Sequence, residues 1–427
     1  MKKGFLFCSV LLFLILNSPF LSAKVYNLSI KGVIDSIVEE YISDSFKRID
    51  ERGDCELIVI SLDTPGGFST SMRSIIKTMM NSKSPTAVYV SPSGARAASA
   101  GFLITIAAHF AAMAPGTNMG AAHPVSVMGK KIDGVMEKKV LNDAVSYVKS
   151  IAKSRNRNIE LSEKAVTESN SYTSDECLEG NLIDVIAKNI DDLIEKIDGK
   201  KIVLDGKEIT ININNKSVRN MKMTMRQRFL RTITNPNLAY FLLVIGLAGL
   251  YIEFTHPGII IPGVIGGIAL LLAFLAFQIL PVNYIGLFLI FLSIAFFIAE
   301  IKIQGFGVFG IGGVISFFLG SVMLLNSPIP ELRPSVATIV AASVSFGSIF
   351  LFLAYKIIVS RNKKAETGVE GMIGESGKSK SAISSEAGKV FIKGEIWNAV
   401  SDEPIREGEK VKIISVKNLV LKVKIGE

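Results

Sequence analysis

The chain has 427 residues, enough for two or three domains, and its composition is 49% hydrophobic with a net charge of +9. Three cysteines and three histidines are too few for a disulfide scaffold or a histidine-rich metal site, so neither a metal nor another cofactor is expected. The clearest basic clusters flank a long apolar region, which indicates contact with a membrane surface rather than with nucleic acid.

The first 23 residues have the pattern of a secretory signal peptide. Lys2 and Lys3 precede the apolar run Phe5–Leu16, and the segment ends in the small residues Ser22 and Ala23. An uncleaved membrane anchor has a similar pattern. In both cases the domain that follows is predicted to lie on the extracytoplasmic side of the membrane.

Residues 24–220 are predicted to form an α/β domain. Strand patterns and helix patterns follow one another in the order Val25–Ile30, Ile37–Arg48, Leu57–Leu62, Thr70–Met80 and Thr86–Val90. This alternation predicts parallel strands joined by crossover helices. Residues 200–215 alternate like a short hairpin or an edge strand.

Two unusual segments fall where predicted strands end and helices begin, the usual place for a site in an α/β protein. The first is Asp63–Gly67, with the sequence Asp-Thr-Pro-Gly-Gly, and the second is Ser93–Gly101, which places Ser99 among alanines and glycines. Small neighbours permit close backbone approach, and paired glycines free backbone N–H groups to point at a ligand oxygen. A serine nucleophile and an oxyanion hole need these arrangements, although each segment alone also fits a turn or tight helix packing.

A serine nucleophile needs a base, and the chain offers two. Lys139 stands at the start of a predicted amphipathic helix, and a lysine becomes a base when desolvation or a nearby charge favours its neutral form. Its neighbour Lys138 would point about 100° away around the helix, so one of the two can face the serine. The alternative is His123 with Asp184, because a histidine works as a base near neutral pH. Spacing alone does not choose between these bases.

From residue 236 the chain becomes predominantly apolar. Residues 221–235 form a basic juxtamembrane linker that contains Arg226, Arg228 and Arg231, and residues 236–360 form a predicted membrane region. Five spans would place the soluble parts on opposite faces, with the C-terminal part cytoplasmic, whereas a re-entrant segment at Pro257 and Pro262 would leave four spans and place both parts on one face. The five runs of membrane-spanning length or slightly below are Leu238–Phe254, Ile259–Leu280, Tyr284–Ala299, Phe306–Leu325 and Val336–Val359.

Residues 366–427 are predicted to form a small all-β barrel, because apolar and polar residues alternate between glycine-containing turns. Trp397 is expected in its core. The Ser/Lys/Gly-rich stretch Gly374–Ser385 is expected to be a loop.

Several motifs together resemble the long-form NfeD family of membrane-bound serine proteases. The likeness covers all three parts of the chain in order, and a match on that scale is far more specific than any one motif. The motifs are Asp63–Gly67, Ala97–Gly101, Ala114–Ala121, Glu253–Gly258, Pro281–Tyr284, Ala299–Glu300 and Gly394–Ala399.

The resemblance implies a ClpP/crotonase-like protease domain with a Ser–Lys dyad. It carries the nucleophile to Ser99, the base to Lys139 and the oxyanion donors to Gly66 and Gly67. The surroundings of His123 and Asp184 are also similar to the regions that hold the histidine and aspartate of the soluble ClpP triad. These two residues therefore stay open as the alternative base pair.

The resemblance further implies cleavage of hydrophobic segments of membrane proteins, with a stomatin- or prohibitin-like partner and an OB-fold tail associated with such partners. A homo-oligomer of at least two copies is expected. A competing function is a non-catalytic membrane scaffold that organises stomatin-like proteins. An acyl-CoA enzyme of the crotonase fold is disfavoured, because an extracytoplasmic domain has no access to cytosolic CoA substrates.

Overall fold

The computed structural model describes residues 24–126, 134–204, 206–213, 217–255, 258–303, 307–362 and 369–426. The predicted signal peptide of residues 1–23 lies outside them. The described chain contains an α/β domain, a series of apolar helices and a small β-barrel, which are the three parts predicted from the sequence.

The α/β domain begins with the predicted alternation of strands and helices. Along the chain, strands and helices alternate in the order β1 (Lys24–Lys31), α1 (Ser36–Asp50), β2 (Cys55–Asp63), α2 (Ser69–Met80) and β3 (Thr86–Val90). Each helix buries residues spaced three and four apart, so that one face packs on the sheet. The apolar pattern therefore placed each of these elements to within two residues of its observed ends.

Six parallel strands form the main sheet, and a second sheet of three short strands carries the segment before Ser99. The further elements are β4 (Arg96–Ala98), α3 (Ala100–Ala107), β5 (Phe110–Met113), β6 (Asn118–Gly120), α4 (Gly134–Ser154), α5 (Ile159–Thr167), β7 (Ser171–Thr173), α6 (Ser174–Glu179), β8 (Val185–Ile186), α7 (Ile190–Ile197), β9 (Lys201–Leu204), β10 (Lys207–Thr210) and β11 (Val218–Met221). The main sheet has the order β11-β1-β2-β3-β5-β8, the second has the order β4-β6-β7, and β9 with β10 forms the predicted hairpin.

Both faces of the main sheet are buried. Leu28 and Ile60 contribute to the core on one face, and Val25 and Val59 contribute to the core on the other, because successive residues of a strand point to opposite sides. Strands β2 and β3 are parallel neighbours, so the segments that follow them lie at the same edge of the sheet. This is the ClpP/crotonase-like α/β arrangement that was predicted, and it brings the two unusual segments together.

Helix α8 (Met225–Ile233) occupies the predicted juxtamembrane linker. It begins with a capping box, in which Thr224 accepts from the Gln227 N–H at 3.2 Å and Gln227 Oε1 accepts from the Thr224 N–H at 3.0 Å. The linker is thus an ordered helix that leads directly into the membrane region.

Five apolar helices follow, namely α9 (Pro236–Thr255), α10 (Ile261–Phe277), α11 (Tyr284–Ile303), α12 (Val308–Leu324) and α13 (Val336–Asn362). Among the described residues, the segments Pro236–Thr255 and Pro330–Phe350 are long and apolar enough to cross a bilayer, and the apolar stretches Ile261–Phe277, Tyr284–Glu300 and Val308–Leu324 are shorter, at 10–17 residues. All five predicted apolar runs are helical, and the number of membrane crossings stays a prediction.

Glycines let helices α9 and α10 pack closely. A Cβ on Gly249 would lie 2.4 Å from the carbonyl oxygen of Pro262, and one on Gly246 would lie 2.5 Å from Leu270 Cγ. Contacts between small residues are the usual way in which helices associate without a hydrophobic driving force between them.

The C-terminal residues form a closed barrel with its own apolar core, as predicted. Its strands run in the order β12-β13-β14-β16-β15, with β12 at Ser376–Ser379, β13 at Lys389–Ile392, β14 at Glu395–Val400, β15 at Lys410–Lys417 and β16 at Val420–Ile425.

Two expectations for the barrel were wrong in detail. Gly374–Ser385 was expected to be a loop, but it contains β12, which pairs with both β13 and β15 and closes the barrel. The polar composition of this strand hid it, because a short strand with few apolar residues has little alternation. Trp397 is half-buried beside the core, where its indole N–H donates to Glu395 Oε2 at 3.2 Å.

Candidate active site

Ser99 lies between β4 and α3, at the N-cap position of the helix. Its φ of 53° and ψ of −113° fall in a region that L residues rarely occupy. The Ser99 N–H donates to the Gly120 carbonyl at 2.8 Å, and the hydroxyl does not cap the helix. Strained backbone of this kind is concentrated at functional sites. Here it presents a half-buried hydroxyl that accepts no hydrogen bond from the first N–H groups of α3.

The Asp63–Gly67 segment lies directly against Ser99. The Thr64 N–H donates to the Arg96 carbonyl at 2.7 Å, and the Thr64 carbonyl accepts from the Ala98 N–H at 3.1 Å. A Cβ on Gly66 would lie 2.8 Å from Ser99 Cβ and 3.3 Å from Ser99 Oγ. The two segments singled out in the sequence therefore meet at one point.

The two glycines of this segment differ in the use of their N–H groups. The Gly66 N–H donates to Thr64 Oγ1 at 3.0 Å, within the turn. The Gly66 carbonyl accepts from the Ile34 N–H at 2.9 Å, and the Phe68 N–H donates to the Ile34 carbonyl at 2.8 Å. These two bonds direct the intervening Gly67 N–H away from Ile34, since alternate N–H groups of an extended chain point in opposite directions. No acceptor for the Gly67 N–H is found among the described residues.

The start of α3 packs tightly on the same segment. A Cβ on Gly101 would lie 2.4 Å from Thr64 Cγ2, so the close approach requires a glycine. The N–H groups of Ala100 and Gly101 are the first in the helix and have no acceptor within it. The sequence analysis did not identify Ala100 as a candidate donor. The one feature of the sequence that points to it is its position directly after Ser99, where the predicted helix begins.

Lys139 is exposed near the start of α4, and the described residues include no hydrogen bond or ion pair of its ammonium group. The buried residues of this helix lie further along it, at Val148, Ile151 and Ala152. Residues 127–133, which lead into the helix, lie outside the described part of the chain. The described residues therefore show no hydrogen bond between Lys139 and Ser99.

His123 and Asp184 bind different partners. The Nδ1 atom of His123 lies 3.0 Å from the Val166 carbonyl oxygen, an acceptor, so the proton of a neutral ring is placed on Nδ1. Asp184 Oδ2 accepts from the Ala111 N–H at 2.7 Å and from the guanidinium of Arg157 at 2.5 Å. The side chain of Arg157 is only 2% exposed, so Asp184 serves as the counterion of a buried charge.

The two cysteines among the described residues, Cys55 and Cys177, do not compete with Ser99 as nucleophiles. Burial raises the pKa of both Cys55 and Cys177 to about 12, which keeps their thiols protonated at neutral pH. Across the described ranges, no cluster of three or more His, Cys, Asp or Glu side chains has the arrangement of a metal site.

Three family models match successive parts of the chain. The N-terminal domain of NfeD1b matches residues 24–199, the NfeD integral membrane domain matches residues 237–356, and the NfeD-like C-terminal, partner-binding domain matches residues 369–424. Together they span the α/β domain, the apolar helices and the barrel.

Two relatives are similar over nearly their whole length. The membrane-bound protease PH1510 of Pyrococcus horikoshii is 36% identical over 433 residues, which cover 97% of this chain and 96% of the relative. The membrane protein NfeD1b of Bacillus subtilis is 24% identical over 437 residues, which cover 94% and 93%.

Solved structures of the protease 1510-N, specific for a stomatin homolog from Pyrococcus horikoshii, also match. One is a lysine-to-alanine variant in complex with a substrate peptide, with 34% identity, a TM-score of 0.46, and coverage of 50% of this chain and 98% of that chain. A serine-to-alanine variant has 36% identity, a TM-score of 0.45, and coverage of 48% and 99%.

Proposed function

This chain belongs to the long-form NfeD family and is a membrane-bound serine protease, and from that premise we propose that it cleaves apolar segments of a stomatin-like membrane protein through a Ser99–Lys139 dyad. The contact between Gly66 and Ser99 is the observation that carries the proposal, because it joins a strained serine to a glycine pair. A nucleophile and an oxyanion hole need to be that close.

The reaction begins when Ser99 Oγ attacks the carbonyl carbon of the scissile peptide and Lys139, as a neutral amine, takes the hydroxyl proton. Collapse of the tetrahedral intermediate breaks the C–N bond, and the leaving amine takes the proton from Lys139. Lys139, neutral again, then takes a proton from a water molecule that attacks the acyl-enzyme ester, and it returns that proton to Ser99 Oγ as the ester C–O bond breaks and the acyl product leaves as an acid.

The oxyanion of that intermediate needs backbone donors. Of the two glycines predicted as donors, Gly67 is the better placed, because the Gly66 N–H is already bound by Thr64. We assign the second donor to the Ala100 N–H at the start of α3, where the helix dipole also favours negative charge. The role of Gly66 is then to permit the close approach to Ser99.

Lys139 is preferred to His123 as the base. A catalytic histidine is normally oriented by a carboxylate, and the carboxylate predicted for that role, Asp184, is bound to Arg157. Lys139 is exposed in the single chain, so it has to be covered in the active state. The exposed apolar residues Val135 and Met136 near it are consistent with an assembly of at least two copies that covers this end of α4.

We place the protease domain outside the cytoplasm and the barrel inside it, with the bilayer between them. The domain boundaries that go with this arrangement are residues 24–220, 221–235, 236–360 and 366–427. The apolar helices support membrane attachment, which in turn favours substrates presented at the bilayer surface.

The nucleophile is tested by Ser99→Ala in the full-length protein in detergent, with Ser93→Ala as the matched control on the same segment. We expect Ser99→Ala to abolish both cleavage of a fluorogenic apolar peptide and labelling by a fluorophosphonate probe. Ser93 is exposed and lies before β4, so its replacement should leave both unchanged. A folded parent protein that neither cleaves the peptide nor reacts with the probe would instead support the non-catalytic scaffold.

A further inference from the structure

The juxtamembrane helix α8 is docked on the α/β domain by polar side chains, and two of them are arginines that were predicted to contact the membrane surface. Gln227 is fully buried and donates to Asp44 Oδ2 at 2.9 Å. Arg226 pairs with Glu40 at 2.5 Å. Two of the three arginines predicted as membrane anchors, Arg226 and Arg231, thus bind the protease domain.

Arg231 makes the most extensive of these contacts. Its guanidinium donates to Asp35 Oδ2 at 2.8 Å, to the Val33 carbonyl at 3.1 Å and to the Lys31 carbonyl at 2.8 Å. Gly32, with a φ of +93°, leaves room for the guanidinium, since a Cβ there would lie 3.2 Å from Nη2. One planar group therefore holds three acceptors of the turn Lys31–Asp35 through two nitrogens in a rigid fork, a geometry that lysine lacks.

The Lys31–Asp35 turn also binds the segment Gly66–Phe68, which we call the oxyanion loop. Ile34, in the middle of the turn, donates to the Gly66 carbonyl at 2.9 Å and accepts from the Phe68 N–H at 2.8 Å. The approach at Gly67 is close enough that a Cβ there would lie 2.1 Å from the Ile34 carbonyl oxygen. Phe68, Asp35 and Arg231 also line one cavity of about 190 Å³.

We propose that Arg231 is a positioning residue that fixes the oxyanion loop through the Lys31–Asp35 turn and so ties the active site to the helix that enters the membrane region. The proposal rests on the proposed function, in which the Gly67 N–H stabilises the oxyanion. Asp35 also caps α1 by accepting from the N–H groups of Ile37 and Val38, so the helix keeps its cap when Arg231 is replaced.

The test compares Arg231→Met with Arg228→Met in the full-length protein in detergent. Arg228 lies on the same helix and its described side-chain hydrogen bond goes to Met225, also on α8, so it is the matched control. With an apolar fluorogenic peptide, Arg231→Met should lower kcat at least about tenfold with KM within about twofold, because a displaced donor affects the transition state more than substrate binding. Arg228→Met should leave both constants unchanged.

A second measurement does not depend on activity. Amide hydrogen exchange, followed by mass spectrometry, should accelerate in the peptides that contain Ile34 and Phe68 in Arg231→Met and stay unchanged in those of α3. Arg231→Lys should give an intermediate kcat and an intermediate exchange rate, because it keeps the charge and part of the contacts. If Arg231→Met does not fold, the exchange rate of Arg231→Lys tests whether Arg231 holds the oxyanion loop.

Parent-like exchange at Ile34 and Phe68 in a folded Arg231→Met protein would overturn the inference, as would parent-like kcat or equal effects of the two methionine variants. If the parent protein shows no Ser99-dependent cleavage, the proposed function fails. The exchange measurement then still decides whether Arg231 holds the loop.

Discussion

At the scale of single residues, Gly66 combines two constraints that a side chain would violate. Its φ of +119° is strained for L residues, and an added Cβ would lie 2.8 Å from Ser99 Cβ. Gly66→Ala should therefore displace either the loop or the serine and slow fluorophosphonate labelling of Ser99 by about 100-fold or more, the effect expected when oxyanion stabilisation is lost.

Gly94→Ala separates strain from contact. Gly94 has a φ of +84°, and a Cβ there would meet no atom within 4 Å. This variant should lose about 1–3 kcal/mol of stability from backbone strain and still label at the parent rate. Equal labelling rates in both variants would mean that Gly66 does not shape the site.

His109 gives the α/β domain a dependence on pH. Burial, with a smaller contribution from Arg155, lowers its pKa from 6.5 to about 4, and its neutral Nδ1 accepts from the Thr86 N–H at 3.2 Å. Between pH 6.5 and 4 the unfolded chain binds a proton that the folded chain does not, so the free energy of unfolding falls as the pH falls, by about 3 kcal/mol at most.

His109→Gln should remove this dependence, because an amide can accept the same bond and does not titrate. Differential scanning calorimetry of the protein in detergent from pH 7.5 to 4.5 measures the effect. The parent Tm for the α/β domain should drop more steeply than that of the variant, and parallel slopes would contradict the assignment.

At the scale of elements, α4 presents its two adjacent lysines in different directions. Lys138 and Lys139 differ by about 100° around the helix, so a dyad with Ser99 uses one of them. Lys139→Ala should lower kcat by about 10²- to 10⁴-fold, the usual contribution of a general base. Lys138→Ala is the matched control and should retain the parent kcat. A larger loss in His123→Ala than in Lys139→Ala would transfer the base to histidine.

At the scale of the whole molecule, catalysis and partner binding are assigned to different parts of the chain. On the outer face of the barrel, Ile396 is 62% exposed and lies opposite Phe391, which forms an apolar pair suited to a partner. Ile396→Asp should weaken capture of a stomatin-like partner in a pull-down at least about tenfold, as for a buried interface residue, without changing peptide cleavage.

Ile414→Asp is the control for that prediction, because Ile414 is 46% exposed on β15, which pairs with β12 and β16 and not with the strands β13 and β14 that carry Phe391 and Ile396. It introduces the same charge away from the apolar pair and should bind the partner normally. Equal loss of capture in both variants would point to charge rather than to the Ile396 surface.

The sequence by itself determined the order of elements and the meeting of the two key segments. Apolar patterns located β1 to β3 and the helices between them, and parallel neighbouring strands necessarily deliver the segments after them to one edge of the sheet. That is why Ser99 and the glycine pair could be placed together without coordinates. The strand β12 was not predicted, because its residues do not alternate between apolar and polar.

Only the tertiary structure decided the partner of each polar group. The proposal of Gly67 rather than Gly66 as a donor to the oxyanion depends on hydrogen bonds to the Thr64 hydroxyl and to Ile34. Ile34 is more than thirty residues away in the chain. The pairing of Asp184 with Arg157 and of Arg231 with the Lys31–Asp35 turn has the same origin. Hydrogen bonds and ion pairs form between groups that the fold brings close, and local sequence pattern carries no record of which distant group that is.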